Sequence, residues 1–220
     1  MLEDKVLPNF CEINALKEEY RGKIAVYAGL ELDGDSEIPD LDYDYIIASV
    51  HEMHNNGKSY PVDYSAEVQL ELANELFLGS MVNYAKVYYE SLINHVKRSK
   101  PDIIGHFDLV TKYSLVPEDD SEYVDVALNA VRECMKYSRT FELNTGAIAR
   151  GLRKEPYPAG FILDEIKRLG GRVIITSDCH YPERMICWFD EAEDFLRAHG
   201  FAKNENADLN SKVRGIEIWE

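Results

Sequence analysis

The sequence predicts an α/β protein built on a mainly parallel sheet of the (β/α) barrel kind. Three observations lead there. Short β-rich runs alternate with helical patterns, which implies βαβ units. The runs lack apolar/polar alternation, as expected of strands covered on both faces. A polar, metal-competent residue follows several successive runs, whereas an open doubly wound sheet gathers its ligands at one switch point.

The elements follow in order. A helical stretch over 12–20 leads into the first run, 23–30, which ends at Glu31. The second run, 45–50, ends at His51. Helical patterns cover 65–76 and 82–98, and the second carries Tyr84, Val87, Tyr88, Leu92 and His95 at helical spacing. The run 101–105 ends at His106, and a helix over 122–137 precedes the run 140–144. A helix over 159–169 stops at Gly170-Gly171, a suitable C-terminal signal. The run 172–176 leads into Ser177-Asp178-Cys179-His180. A helix over 186–199 stops at Gly200, and 215–219 forms a last short strand. With no linker, repeat or low-complexity tract, residues 1–220 read as one domain.

Composition sets outer limits. The 220 residues carry 24 Lys+Arg against 40 Asp+Glu, a net charge of −16. Such a chain does not grip a phosphate backbone over a broad surface, which needs a positive field. A small site with metals or a few basic side chains remains open to small anions. No apolar run is long enough to span a membrane, and the opening residues lack an apolar leader core. Cys11, Cys134, Cys179 and Cys187 are scattered without CxxC spacing. We therefore expect reduced thiols in a cytoplasmic protein.

The chemistry gathers at the strand ends. Glu31, His51, His106, Asp178 and His180 are all competent ligands for zinc, manganese or iron. One histidine after a strand has a structural explanation; five such residues on four strand ends converge on one barrel mouth. In an extended segment Asp178 and His180 point the same way, so both reach one ion. His54 reads equally as a ligand, a hydrogen-bond donor to one, or a solvated loop residue. His95 and His199 read as structural helix residues. The basic cluster Arg150, Arg153 and Lys154 stands out in so acidic a chain, because arginine holds phosphate oxygens in a planar fork. Lys112 and Tyr60 are weaker candidates for the same mouth.

Several segments resemble the polymerase-and-histidinol-phosphatase (PHP) superfamily. They are Gly29-Leu-Glu31, Ala48-Ser-Val-His51, Ile104-Gly-His-Phe-Asp-Leu109, Phe141-Glu-Leu-Asn-Thr145 with Gly151-Leu-Arg-Lys154, and Thr176-Ser-Asp-Cys-His180. Their order, with Tyr60-Pro-Val-Asp63, is most similar to the monofunctional histidinol-phosphatase branch. The resemblance implies a distorted (β/α)7 barrel. It also implies one to three divalent ions (Zn, Mn or Fe) held by Glu31, His51, His106, Asp178 and His180, and hydrolysis of a phosphate monoester. Arg153 matches a phosphate-binding position; Lys154, Lys112 and Tyr60 are expected beside the substrate, and His180, Asp178 and Arg153 near the reacting groups. One departure is large: no histidine precedes His51, so the family's N-terminal His-x-His and Asp-His motifs are missing. The barrel is therefore expected to be incomplete at its N-terminus and the activity reduced. Two alternatives stay open: a non-catalytic metal- or phosphate-binding relative, and an amidohydrolase-like metal hydrolase. The expected partners are a small phosphorylated substrate and a second copy in a homodimer, with no nucleic acid and no membrane.

Overall fold

The computed structural model describes residues 3–34 and 36–220; Met1 and Leu2, part of the opening segment read above for a leader core, lie outside them. Helix α1 (Glu3–Glu19) precedes strand β1 (Gly29–Asp33). Strand β2 (Tyr45–Ser49) is followed by a hairpin of β3 (Glu52–Asn55) and β4 (Lys58–Pro61). Helices α2 (Ala66–Phe77) and α3 (Met81–Ser99) lead to the short β5 (Ile103–Ile104), then α4 (Ser121–Cys134) and β6 (Thr140–Asn144). The chain continues through α5 (Gly146–Ala149), α6 (Gly160–Arg168), β7 (Arg172–Thr176), α7 (Phe189–Ala198), β8 (Lys203–Ala207) and β9 (Ile216–Trp219).

Local chemistry explains the helix boundaries. The Ser65 hydroxyl accepts from the Val68 N–H, the Ser80 hydroxyl from the Asn83 N–H, and the Asp120 carboxylate from those of Glu122 and Tyr123. Each supplies an acceptor to the unpaired first turn of a helix. Helix α3 ends with Lys97 and Arg98 in its last turn and Lys100 in the left-handed region, and Pro101 blocks continuation. Its inner face buries Tyr84, Tyr88, Leu92 and His95, as the helical spacing predicts.

The seven-stranded sheet has the order β1-β2-β5-β6-β7-β9-β8. β1, β2, β5, β6 and β7 run parallel, while β9 is antiparallel to both β7 and β8. On one face Ala48, Ile104, Phe141 and Val173 pack with α3, α4 and α6 into the main core. On the other, Ile47, Ile103 and Ile174 meet Ala207, Leu209, Val213 and Ile218 from the C-terminal segment. Both faces are covered, which is why the strands read as continuous apolar runs.

The structure departs from the sequence expectation at several places: helix α1 covers Glu3–Glu19 where 12–20 was expected, and β5 only Ile103–Ile104 within the expected run 101–105. The first strand begins at Gly29 instead of residue 23, because its parallel partner starts at Tyr45 and the Asp44 carboxylate takes the Ala28 N–H at 2.6 Å. The β3–β4 hairpin was not predicted, although its turn, Asn56-Gly57 with φ of 52° and 75°, has a favoured hairpin chemistry. Strand β8, with the sequence Lys-Asn-Glu-Asn-Ala, carries no strand propensity and exists only through β9. Finally, among the described residues no ladder joins β1 to β8, so the sheet is open: the mainly parallel α/β sheet is observed, while the barrel, expected to be incomplete at its N-terminus, is not seen to close.

Candidate metal centre

Parallel register lines up the carboxyl ends of the strands. Glu31 sits on β1 opposite Ile47 of β2, on the face away from the helices. His51, His106 and Asp178 each stand two residues beyond the end of their strand, β2, β5 and β7. Gly105 permits the close approach of β5 to β2, since a Cβ there would lie 2.4 Å from the Ser49 Oγ and 2.9 Å from an Ile47 methyl.

Three of these side chains converge. His106 Nε2 lies 3.1 Å from His51 Nε2 and 3.3 Å from Glu31 Oε1, and His51 Nε2 lies 3.8 Å from the same Glu31 oxygen. Donors bound to one ion at ~2.05 Å in a tetrahedron are separated by about 3.3 Å. The observed triangle is close to that size, so a two-histidine, one-carboxylate set fits a divalent cation. Among the described residues it is the one group of three with this spacing.

The electrostatics agree with the geometry. His106 is 3% exposed, and burial alone would lower its pKa; the Glu31 hydrogen bond and the charges of Glu142, Glu31 and Asp178 outweigh this and raise it to about 9. Burial would raise Glu31, but the His106 hydrogen bond and charge and the His51 charge bring it down to about 2. Asp33 also falls below the usual carboxylate range: burial opposes this, and the His51 ring and backbone N–H overcome it.

The other predicted residues are distributed differently. A cleft of about 460 Å³ is lined by Glu31, His51, Asp178, His180 and Lys112, together with Asp63, Arg150 and Arg184. Asp178 is not in the triangle; its Oδ2 pairs with Arg150 at 3.2 Å. Its φ of 45° breaks the extended geometry that would have aimed Asp178 and His180 together, and the His180 side chain is 72% exposed. Lys112 Nζ pairs with Asp63 Oδ2 at 2.8 Å. Arg153 lies outside this cleft. Its guanidinium donates to the Thr111 carbonyl at 2.9 Å, pairs with Glu118 at 3.3 Å and lies over the Tyr157 ring. Lys154 lines a separate open groove with Glu118 and Arg153, and Tyr60 packs against the core from β4.

Sequence reasoning missed four residues here. Glu142 is buried on β6, where its Oε2 accepts the His106 N–H at 2.6 Å and its Oε1 the Thr176 hydroxyl at 2.5 Å. Asp63 closed the Tyr60-Pro-Val-Asp63 motif without being singled out as a site residue, and Arg184 carried no spacing signal. Asp33 did, because Glu31-x-Asp33 has the same i, i+2 relation that drew attention to Asp178-x-His180.

Fold and site together define a class: an α/β protein with a metal-competent cluster at the carboxyl ends of a mainly parallel sheet. No protein-family model matches the chain. It is 30% identical over 188 residues to the histidinol-phosphatase of Bacillus subtilis, covering 77% of this chain and 68% of that one. It is 29% identical over 206 residues to a probable histidinol-phosphatase of Deinococcus radiodurans, covering 88% and 73%. A relative from Schizosaccharomyces pombe with the same name is 25% identical over 202 residues, 84% of this chain and 63% of its own length. A crystal structure from Listeria monocytogenes, described as that of a putative histidinol phosphatase, superposes with a TM-score of 0.69 at 22% identity, covering 84% of this chain and 75% of the other. The chain belongs to the histidinol-phosphatase family of the PHP type. It spans about two thirds of the length of these curated relatives.

Proposed function

We propose that the chain hydrolyses the phosphate monoester of histidinol, and that Glu31, His51 and His106 hold a divalent ion for this reaction. The observation that carries this reading is the donor triangle at the edge of a cation-lined cleft, in a chain of this family. A bound Zn, Mn or Fe ion would polarise the phosphoryl group and lower the pKa of a bound water. The protein's own groups do the rest. Lys112, Arg150 and Arg184 supply positive charge in the cleft, and two of them are guanidinium forks suited to phosphate oxygens. Arg150 must exchange part of its Asp178 pairing for the phosphate, which would free the Asp178 carboxylate toward the cation. His180, exposed beside the cleft, is our candidate for proton transfer to the leaving alkoxide.

Arg153 retains a phosphate-binding role in this reading only if it leaves Glu118 and Thr111, so its effect is expected to be smaller than that of Arg150. Lys154 and Tyr60 are assigned outer contacts with the substrate. The open sheet is read as the arc of a (β/α) barrel. Support comes from the C-terminal position of the site and the fold likeness to the Listeria structure.

The test is hydrolysis of histidinol phosphate by the metal-depleted chain, before and after addition of Zn2+ or Mn2+, beside His106→Ala and an amide-substrate panel. Metal-dependent release of phosphate that His106→Ala abolishes is expected. Absence of phosphate release with either metal would reject the phosphatase reading.

A further inference from the structure

A second carboxylate stands behind the donor triangle. Asp33 lies two residues beyond Glu31 on β1, so both side chains leave the strand on the same face. Its Oδ1 accepts the His51 backbone N–H at 2.8 Å and stands 3.4 Å from His51 Nδ1. The opposite ring nitrogen, Nε2, is the one that faces His106 at 3.1 Å and Glu31 at 3.8 Å. The His51 ring therefore lies between a carboxylate on one edge and the cation-sized triangle on the other.

His106 has no equivalent. Its Nδ1 is buried without a hydrogen-bond partner among the described residues, and the ring is fixed by burial. His51 is about one-third exposed, so packing alone does not set its rotation. An imidazole that ligates through Nε2 must carry its proton on Nδ1, and an acceptor at Nδ1 fixes both that tautomer and the ring plane. Among the described residues, Asp33 is the one carboxylate placed at that edge. It is itself anchored: Gly34, next along the chain, donates its N–H to the Ser49 carbonyl at 3.1 Å, and His95 Nε2 lies 2.8 Å from the carbonyl of Leu32.

We propose that Asp33 is the positioning residue of His51, taking its Nδ1–H and aiming Nε2 at the ion. The inference rests on the metal-binding reading above and concerns how one ligand is oriented. It differs from a simple capping role, in which Asp33 would matter only as acceptor for the His51 backbone N–H.

Two variants of the full chain separate these roles. Asp33→Asn keeps an oxygen for the backbone N–H and removes the charge; Asp33→Ala removes both. Zn2+ affinity is measured by competition with a chromophoric chelator, and the ring nitrogens of His51 are followed by 15N NMR in the Zn2+-loaded protein. Loss of an outer partner of a ligating histidine typically weakens metal binding 10–100-fold. We expect about tenfold weaker binding in Asp33→Asn and a larger loss in Asp33→Ala. The His51 Nδ1–H signal of the wild type should shift in the first variant and vanish in the second, with metal-free melting of Asp33→Asn unchanged. Affinity within about twofold of wild type in Asp33→Ala, with unaltered His51 signals, overturns the proposal. So does a loss of affinity that merely tracks a lower metal-free melting temperature. If the wild type itself binds no Zn2+, the metal reading fails and this inference with it.

Discussion

At the residue scale, Asp108 and His106 show what burial does to acids and bases in this chain. Asp108 is fully buried, its Oδ2 accepts the Ala159 N–H at 3.0 Å, and its Oδ1 has no partner among the described residues. Burial raises its pKa to about 6, against the opposing charge of Arg153. A raised acid binds its proton more tightly folded than unfolded, so stability falls as pH rises from about 4 to 6 and is level above. Two pH units correspond to about 3 kcal/mol. Asp108→Asn keeps the acceptor and removes the charge. Urea denaturation at pH 4, 5 and 7 should show it more stable than wild type at pH 7, with the difference shrinking toward pH 4. His106 moves in the opposite sense for function. Its pKa of about 9 in the metal-free chain means that a proton must leave before a cation binds. Zn2+ affinity should therefore rise with pH, by up to about tenfold per unit below pH 9, which titrations at pH 6.5, 7.5 and 8.5 would read directly.

At the scale of elements, the site depends on how closely β5 approaches β2. Gly105→Ala drives a methyl into Ser49 and Ile47 and toward the Ala48 carbonyl at 3.4 Å. Short side chains and backbone yield little, so the strands must part and carry His106 away from His51 and Glu31. We expect a stability loss of roughly 1–3 kcal/mol, in the range for overpacking, with weaker Zn2+ binding beyond what the stability loss explains. Helix α3 gives the contrasting case. Leu92 is fully buried in the main core and is not one of the three donors. Leu92→Ala should lower the unfolding free energy by about 2–5 kcal/mol while leaving the Zn2+ affinity of the folded protein unchanged. Denaturation and chelator competition on the two variants separate a change in the site from a change in the core.

At the scale of the whole molecule, β1 is an edge strand with no strand paired to its outer side among the described residues. Unpaired edges invite pairing with another chain, and a two-fold dimer is the simplest closed outcome. We expect light scattering at low micromolar concentration to return twice the 25.2 kDa chain mass; a monomer mass would discard the dimer. No helix among the described residues is long and apolar enough to cross a membrane, and all four cysteines are free thiols.

Periodicity and spacing alone determined the α/β class, the strands Thr140–Asn144 and Arg172–Thr176 to the residue, and the helices α2 and α3 to within a residue or two. They also marked Glu31, His51 and His106, because a polar residue just past an apolar run has little other reason to recur on successive strands. The tertiary structure decided what depends on contacts distant in sequence. It joined those three into one triangle and left Asp178 with Arg150, because a left-handed residue at 178 turns the chain. It gave Arg153 to Glu118 and Thr111, and revealed Glu142 and Asp33 as the carboxylates behind the histidines. Spacing along a chain fixes which face of an element a residue occupies. Which charge it meets there is set by sheet order and loop geometry, through partners from 18 positions away (Asp33 and His51) to 75 (Glu31 and His106).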